Sequence, residues 1–280
     1  MSTRLRQIKE FTILHPNSVL MKKPFSSLSF AVALAFIAAA GVHPSQAQAN
    51  GTRVSPQVKV PGNYVKVAND ALPVNGQVSA GQASISQSGS AMTVTQSTAR
   101  AVINWDSYNV GSQASVTYQQ PNSAAVTLNR VTGATASQID GAVRANGAVI
   151  ISNSNGVTFG RGAQVDAAAV VATTLNQSDQ EFMNGSTTWS GGSSGKVINR
   201  GTITATAANG YIALLAPEVR NDGYVLATVS GNNSIALASG QNITLNFNGS
   251  QLVGVTVNQA VLNGLIKNKR VVQVEGGLVV

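Results

Sequence analysis

Val197-Ile198-Asn199-Arg200-Gly201-Thr202-Ile203-Thr204-Ala205 returns, 22 residues later, as Val219-Arg220-Asn221-Asp222-Gly223-Tyr224-Val225-Leu226-Ala227. In both copies a β-prone run leads into Asn-x-Gly, and a second β-prone run follows. Val, Ile and Thr favour a pleated surface, and Asn and Gly turn the chain. Nearby, Ile212-Ala213-Leu214 returns as Ile235-Ala236-Leu237 after 23 residues, and Asn263 lies 42 beyond Asn221, close to two more periods. A period in the twenties, carried by strand formers, predicts a solenoid. One coil alone leaves its strand edges and half of its apolar surface open, and stacking the next coil covers both.

The same grammar extends outward from residue 58. Short runs such as Ser84-Ile85-Ser86, Met92-Thr93-Val94-Thr95, Ser115-Val116-Thr117-Tyr118 and Ala125-Val126-Thr127-Leu128 are separated by Gly and Asn. Asn-Gly pairs begin at 75, 146, 155, 184, 209, 248 and 263, each able to turn the chain through positive φ. At roughly 22 residues per coil, residues 50–280 would hold about ten coils. Residues 167–172 are an Ala/Val run that propensity alone would make helical. The β-branched residues that follow, and the repeat on both sides, favour a strand.

Composition narrows the class. The 280 residues include 27 glycines and no cysteine, with 10% charged and 5% aromatic residues. Without cysteine there is no disulfide framework, thiolate nucleophile or Cys-based metal site. A helical bundle would carry more charge on its outer faces. The net charge of +8 divides unevenly. Residues 1–49 hold Arg4, Arg6, Lys9, Lys22 and Lys23 against Glu10. The remaining excess is spread over a long segment with no basic stripe, so nucleic acid is not an expected partner. His15 and His43 both precede residue 50.

Residues 1–49 are expected to be an export signal with a possible N-terminal extension. Met21-Lys22-Lys23 opens a positive segment, residues 30–40 are apolar, and Ala47-Gln48-Ala49 is a small-x-small cleavage site. Met1 and Met21 are alternative starts. The apolar run is too short for a membrane span, which needs ~20 residues. The expected route is the Sec translocon, and the expected mature chain starts at Asn50.

Three blocks together resemble the N-terminal secretion (haemagglutination activity) domain of filamentous-haemagglutinin-type, two-partner secretion exoproteins, and among them the high-molecular-weight adhesins. The first block is residues 89–97 followed by Ala101-Val102-Ile103-Asn104-Trp105-Asp106-Ser107-Tyr108-Asn109-Val110-Gly111. The second is Ala125-Val126-Thr127-Leu128-Asn129-Arg130-Val131-Thr132-Gly133, leading to Ser137-Gln138-Ile139-Asp140-Gly141. The third is residues 147–160. The family's Asn-Pro-Asn-Gly reads Asn153-Ser154-Asn155-Gly156 here, and its Asn-Pro-Asn-Leu has only Gln120-Pro121-Asn122-Ser123 near its place. The resemblance implies an all-β fold, a right-handed single-stranded parallel β-helix with an N-terminal cap, over residues 50–280 and continuing into, or truncated from, a longer repeat region. It implies a periplasmic encounter with an outer-membrane β-barrel carrying POTRA modules, and folding outside a Gram-negative cell, secreted or at its surface. The resulting expectation is a non-enzymatic secretion domain of an adhesin or haemagglutinin-like exoprotein, without cofactor or metal. A host receptor or glycan would be bound by a downstream region. A haemolysin or contact-dependent toxin downstream is the alternative, and a β-helical polysaccharide-degrading enzyme is an alternative of another class.

Individual residues admit two readings. Asn153, Ser154, Asn155 and Gly156 are either transporter-recognition residues or an Asn-rich turn. Asn104, Trp105, Asn129 and Arg130 form the structural motif of the first two blocks, with Trp105 a core anchor rather than a ligand platform. Asn129 and Asn199 belong either to inward amide ladders or to solvated turns. Asp140, Asp166, Asp179 and Glu181 would be the carboxylates of the enzyme alternative. Gly191-Gly192-Ser193-Ser194-Gly195-Lys196-Val197 lacks phosphate-loop spacing and reads as a loop.

Overall fold

The computed structural model describes residues 66–260 and 264–280. The expected leader, with residues 21–23, 30–40 and 47–49, lies outside the described residues, as does Asn263. The described residues belong to one compact unit.

The described chain winds as a parallel β-helix of three sheets. The first sheet contains Arg100–Trp105, Val126–Val131, Ala148–Ser152, Ala169–Thr173, Tyr211–Ala216, Ser234–Ser239 and Leu278–Val279 in that spatial order. The second runs from Ala91–Gln96 through Ser115–Gln119, Ala142–Ala145, Gln164–Ala167, Thr202–Ala205 and Tyr224–Ala227 to Val272–Val274. The shorter third sheet stacks Ser137–Ile139, Val157–Phe159, Lys196–Asn199, Glu218–Asn221 and Leu265–Asn268. Residues 167–172 fall within strands Gln164–Ala167 and Ala169–Thr173 and the corner between them, so stacking overrides alanine's helix preference.

Two antiparallel strands close the N-terminal end. Gln77–Ala80 pairs with Arg100–Trp105, and Ala83–Ser88 pairs with Ala91–Gln96. They occupy edges that would otherwise template association. Each large sheet has eight strands, of which this first one is antiparallel, leaving seven coils among the described residues rather than about ten.

The cap accounts for part of the shortfall, and the rest arises because two segments leave the helix. Residues 174–195 include the helix Asp179–Met183 and strand Thr188–Ser190, and residues 240–260 include the hairpin Asn242–Asn248/Gln251–Gln259. The three strands form an outer antiparallel sheet in which Trp189 is opposite Ile243. It covers an apolar patch on the outer face of the first sheet, where Leu128, Ile150, Val171 and Leu215 pack with Phe182, Trp189, Leu245 and Leu252. The first sheet is therefore buried on both faces, and its strands read as apolar runs rather than as alternation. Inside the helix, Val116, Val143, Val165, Ile203 and Val225 stack from coil to coil.

The corner after the third sheet explains the sequence period. Asn199 donates to Asn221 Oδ1 at 2.8 Å, and Asn221 donates to Asn268 Oδ1 at 2.8 Å. Asn199 Oδ1 and Asn221 Oδ1 accept from the backbone N–H of Gly201 and Gly223, two residues on. A Cβ on Gly223 would lie 2.3 Å from the Gly201 carbonyl oxygen, so the glycine permits the close approach of coils. Asn199 is buried and laddered rather than solvated. The rung after Asn221 is Asn268, 47 residues on and one coil away, not Asn263 two coils away.

Five of the Asn-Gly corners use positive φ, at Asn75, Gly156, Gly185, Asn209 and Gly249. Asn146-Gly147 turns without it. A Cβ there would sit 2.5 Å from the Ala125 carbonyl oxygen, so close approach selects that glycine.

Candidate functional site

The residues singled out by sequence fall in two neighbouring places. Asn104, Trp105, Asn129 and Arg130 lie on the first two parallel strands of the first sheet, with Asn104 beside Arg130 and Ile103 beside Asn129 in register. Alternation along each strand sends their side chains to opposite faces. Trp105 and Asn129 point inward and are fully buried. The Trp105 indole N–H donates to Asn129 Oδ1 at 3.0 Å, the Tyr118 hydroxyl donates to the same oxygen at 2.8 Å, and Asn129 Nδ2 donates to the Ile150 carbonyl at 3.2 Å. Tyr108 and Tyr118 share a 2.8 Å hydrogen bond, and Tyr108 packs edge-on to Trp105 at 5.8 Å. Burial pushes both phenols well above their ordinary values, so both hydroxyls stay neutral. Asn129 thus resolves inward, as the acceptor at the centre of an aromatic knot. Neither its partner Tyr118 nor Tyr108 behind it is marked in the sequence, because nothing in their spacing brings them to one coil interior.

Arg130 and Asn104 point outward. The Arg130 guanidinium reaches Asn104 Oδ1 at 3.0 Å, Asn176 Oδ1 at 2.9 Å, Asp179 Oδ1 at 2.6 Å and the Gln177 carbonyl at 2.6 Å. Its planar fork suits such multidentate use. It ties the first excursion to the second coil, just ahead of the helix. That helix starts with a capping box, in which Ser178 Oγ accepts from the Glu181 backbone N–H and the Glu181 carboxylate accepts from the Ser178 N–H. Ser-x-x-Glu was the available signal for it.

The carboxylates of the enzyme alternative are dispersed in their roles. Asp179 binds Arg130, Glu181 caps the helix, and Asp140 accepts from Gln138 Nε2 at 2.7 Å. Asp166 lies in the second sheet, in register with Arg144 and Thr204. Among the described residues no group of three or more His, Cys, Asp or Glu side chains converges.

Partial burial raises the Asp179 carboxyl, but hydrogen bonds from Ser79 and Arg130, with the guanidinium charge, outweigh it and leave the group below its ordinary value. A depressed folded-state pKa supplies stability above the unfolded value of about 3.9, lost as pH falls through the folded value. Unfolding midpoints measured from about pH 6 down to about pH 2 should therefore fall more steeply for the native chain than for Asp179→Asn. Parallel curves would mean that the Arg130 contact adds no pH-dependent stability.

Residues 153–156 form the turn from the first sheet to the third. Asn153 is buried, and its Oδ1 accepts from the Asn155 backbone N–H at 2.9 Å. Its Nδ2 donates to the Thr135 carbonyl and to Ser137 Oγ, on the preceding coil. Gly156 sits at φ +122°. Ser154 and Asn155 are exposed. Asn155 Nδ2 donates to the Gly133 carbonyl, and the Ser154 carbonyl accepts from Ser193 Oγ. Asn153 and Gly156 therefore shape the turn, and Ser154 and Asn155 are what it presents.

A family model for the TPS (two-partner) secretion domain matches residues 45–277. Two curated relatives are both described as a heme/hemopexin-binding protein from Haemophilus influenzae. One is 32% identical over 208 residues, covering 72% of this chain and 23% of that protein. The other is 45% identical over 83 residues, covering 30% of this chain and 9% of that protein. The chain thus spans less than a quarter of the length of these relatives. Among solved structures, the secretion domain of HMW1 from Haemophilus influenzae superposes with a TM-score of 0.62 at 28% identity, covering 70% of this chain and 52% of that one.

Proposed function

The chain belongs to the TPS secretion-domain family and is the secretion domain of a two-partner secretion exoprotein of a Gram-negative bacterium, served by a partner outer-membrane transporter; from that premise we propose that it is the export and fold-starting segment of an adhesin-like surface protein. The family match across residues 45–277 carries the export part of that reading. Residues 1–49 direct it to the Sec translocon and are removed. In the periplasm, POTRA modules of the partner barrel take up an extended segment by strand addition, and residues 153–156 are part of what they read. Outside, each coil that forms buries apolar surface at roughly 25 cal/mol per Å², which opposes return. The domain itself is non-enzymatic. Asp179 and Glu181, bound to Arg130 and to the helix start, support that reading.

The test is expression of the full chain in a Gram-negative host with and without a partner outer-membrane barrel of the two-partner secretion type. Export to the medium is expected only with the barrel, and equal export without it overturns the proposal. Asn155→Ala should slow barrel-dependent export while leaving the far-ultraviolet β signature unchanged. Unaltered export would remove the turn from recognition and leave the barrel's role standing.

The curated relatives favour a second reading of the cargo, as both are named for heme and hemopexin. Capture of hemopexin by the complete exoprotein, without adhesion to host cells, would select that cargo over an adhesin.

A further inference from the structure

The outer layer does not seal the face it covers. Between it and the first sheet lies a cleft of about 530 Å³, within the usual range for small-molecule sites. Its floor is one outward row of the first sheet, in which Arg100, Val126, Ala148 and Ala169 stack in register. Tyr211 continues the row, one residue before the Val170–Ile212 pair. Neighbouring strands are about 4.8 Å apart, so Arg100 to Ala169 spans about 14 Å along the helix axis. The adjacent outward row carries the larger Leu128, Ile150 and Val171, so the two alanines leave a trench. Phe182, Trp189 and Phe247 wall it, and Phe247 stacks edge-on to Tyr211 at 5.1 Å.

At one end stands Arg100. Its Nη1 donates to the Phe182 carbonyl, and its guanidinium lies 5.2 Å from the Phe182 ring centre. Arg130, Lys196 and Arg220 have carboxylate partners among the described residues, and Arg100 has none there. A half-buried cation at the mouth of an apolar trench, with donors to spare, is complementary to one anionic group on an apolar body. At the other end of the row, burial raises the Tyr211 phenol against the opposing charge of Arg100, so the hydroxyl is neutral.

We propose that this cleft binds a fatty acid, its carboxylate on Arg100 and its aliphatic chain along Val126, Ala148 and Ala169 beneath Phe182 and Trp189. Straight apolar chains fit a row of small side chains running parallel to the solenoid axis. The site is independent of the export reading.

The chain has two tryptophans, of which Trp105 lies in the interior and Trp189 walls the cleft. The full chain is titrated with 10-bromodecanoate and, separately, with 10-bromodecanol, and tryptophan emission is followed. Bromodecanoate is expected to quench saturably the part of the emission that Trp189→Phe removes, and to bind at least about tenfold more tightly than the alcohol, as expected for one charge-assisted contact. Arg100→Gln should abolish the preference, and Arg100→Lys should keep part of it. Equal affinity for acid and alcohol, unsaturable quenching, quenching confined to Trp105, or no binding of either probe would overturn the proposal.

Discussion

Trp105→Ala is expected to destabilise the domain by about 3–5 kcal/mol. The indole is fully buried where the antiparallel cap meets the first coil. A Cβ on Gly76 would lie 2.5 Å from its ring, so the cap strand is fitted directly onto it. Truncation removes the largest side chain of that layer, its edge contact with Tyr108 and one of the two donors to Asn129 Oδ1. Asn129 still accepts from Tyr118, so the cost is chiefly the void. Trp105→Phe, which keeps most of the volume and loses the N–H, should cost only about 1–2 kcal/mol. In Trp105→Ala the remaining tryptophan, Trp189, sits on the outer layer, and denaturant unfolding followed by its emission reads the damage at a distance. The midpoint should fall together with that of the far-ultraviolet β signal. An unchanged Trp189 midpoint would show that the cap and first coil do not support the later coils.

How much of this was readable in the sequence depends on what each residue answers to. The 22-residue period is legible because Asn199, Gly201 and their counterparts Asn221 and Gly223 meet across a coil boundary, where the hydrogen-bond ladder and the close backbone approach admit few substitutes. The inward valines are legible for the same reason. The excursions answer to something else. Residues 174–195 and 240–260 pack against the outside of the first sheet, so they follow no coil period, and a count of coils from chain length alone overshoots. The clue was present in Ala148-Val149-Ile150-Ile151 and in Tyr211-Ile212-Ala213-Leu214-Leu215-Ala216, whose unbroken apolar character marks strands covered on both faces. The same excursion displaced the next ladder rung from the region of Asn263 to Asn268.

For the site, the Asn153 turn and the Trp105 to Arg130 motif could be marked from sequence, but their division of labour could not. Asn129 and Arg130 are consecutive, yet one serves the interior and the other clamps a helix 49 residues on. Strand alternation dictates that split once the strand is placed. The partners Tyr118 and Asp179 follow only from the winding.

Asn221→Leu should cost about as much as the tryptophan truncation, although it removes no volume. Asn221 is fully buried and in the middle of its ladder. Its Oδ1 accepts from Asn199 Nδ2 at 2.8 Å and from the Gly223 backbone N–H at 3.2 Å, and its Nδ2 donates to Asn268. Leucine fills the space but leaves the Gly223 N–H without its partner, deprives Asn199 of one of two acceptors, and interrupts the column toward Asn268. At about 1–3 kcal/mol for each buried group left unpaired, the loss should reach about 3–5 kcal/mol. Asn268→Leu is the internal control. Asn268 is the exposed last described rung, where water can replace the lost partner, so the cost should stay near 1 kcal/mol. Hydrogen exchange separates the causes. In Asn221→Leu the amides of strands Glu218–Asn221 and Tyr224–Ala227 should lose protection first, because the corner joining them has lost its side-chain acceptor. If the two substitutions cost the same, the ladder is a consequence of coil stacking rather than one of its causes.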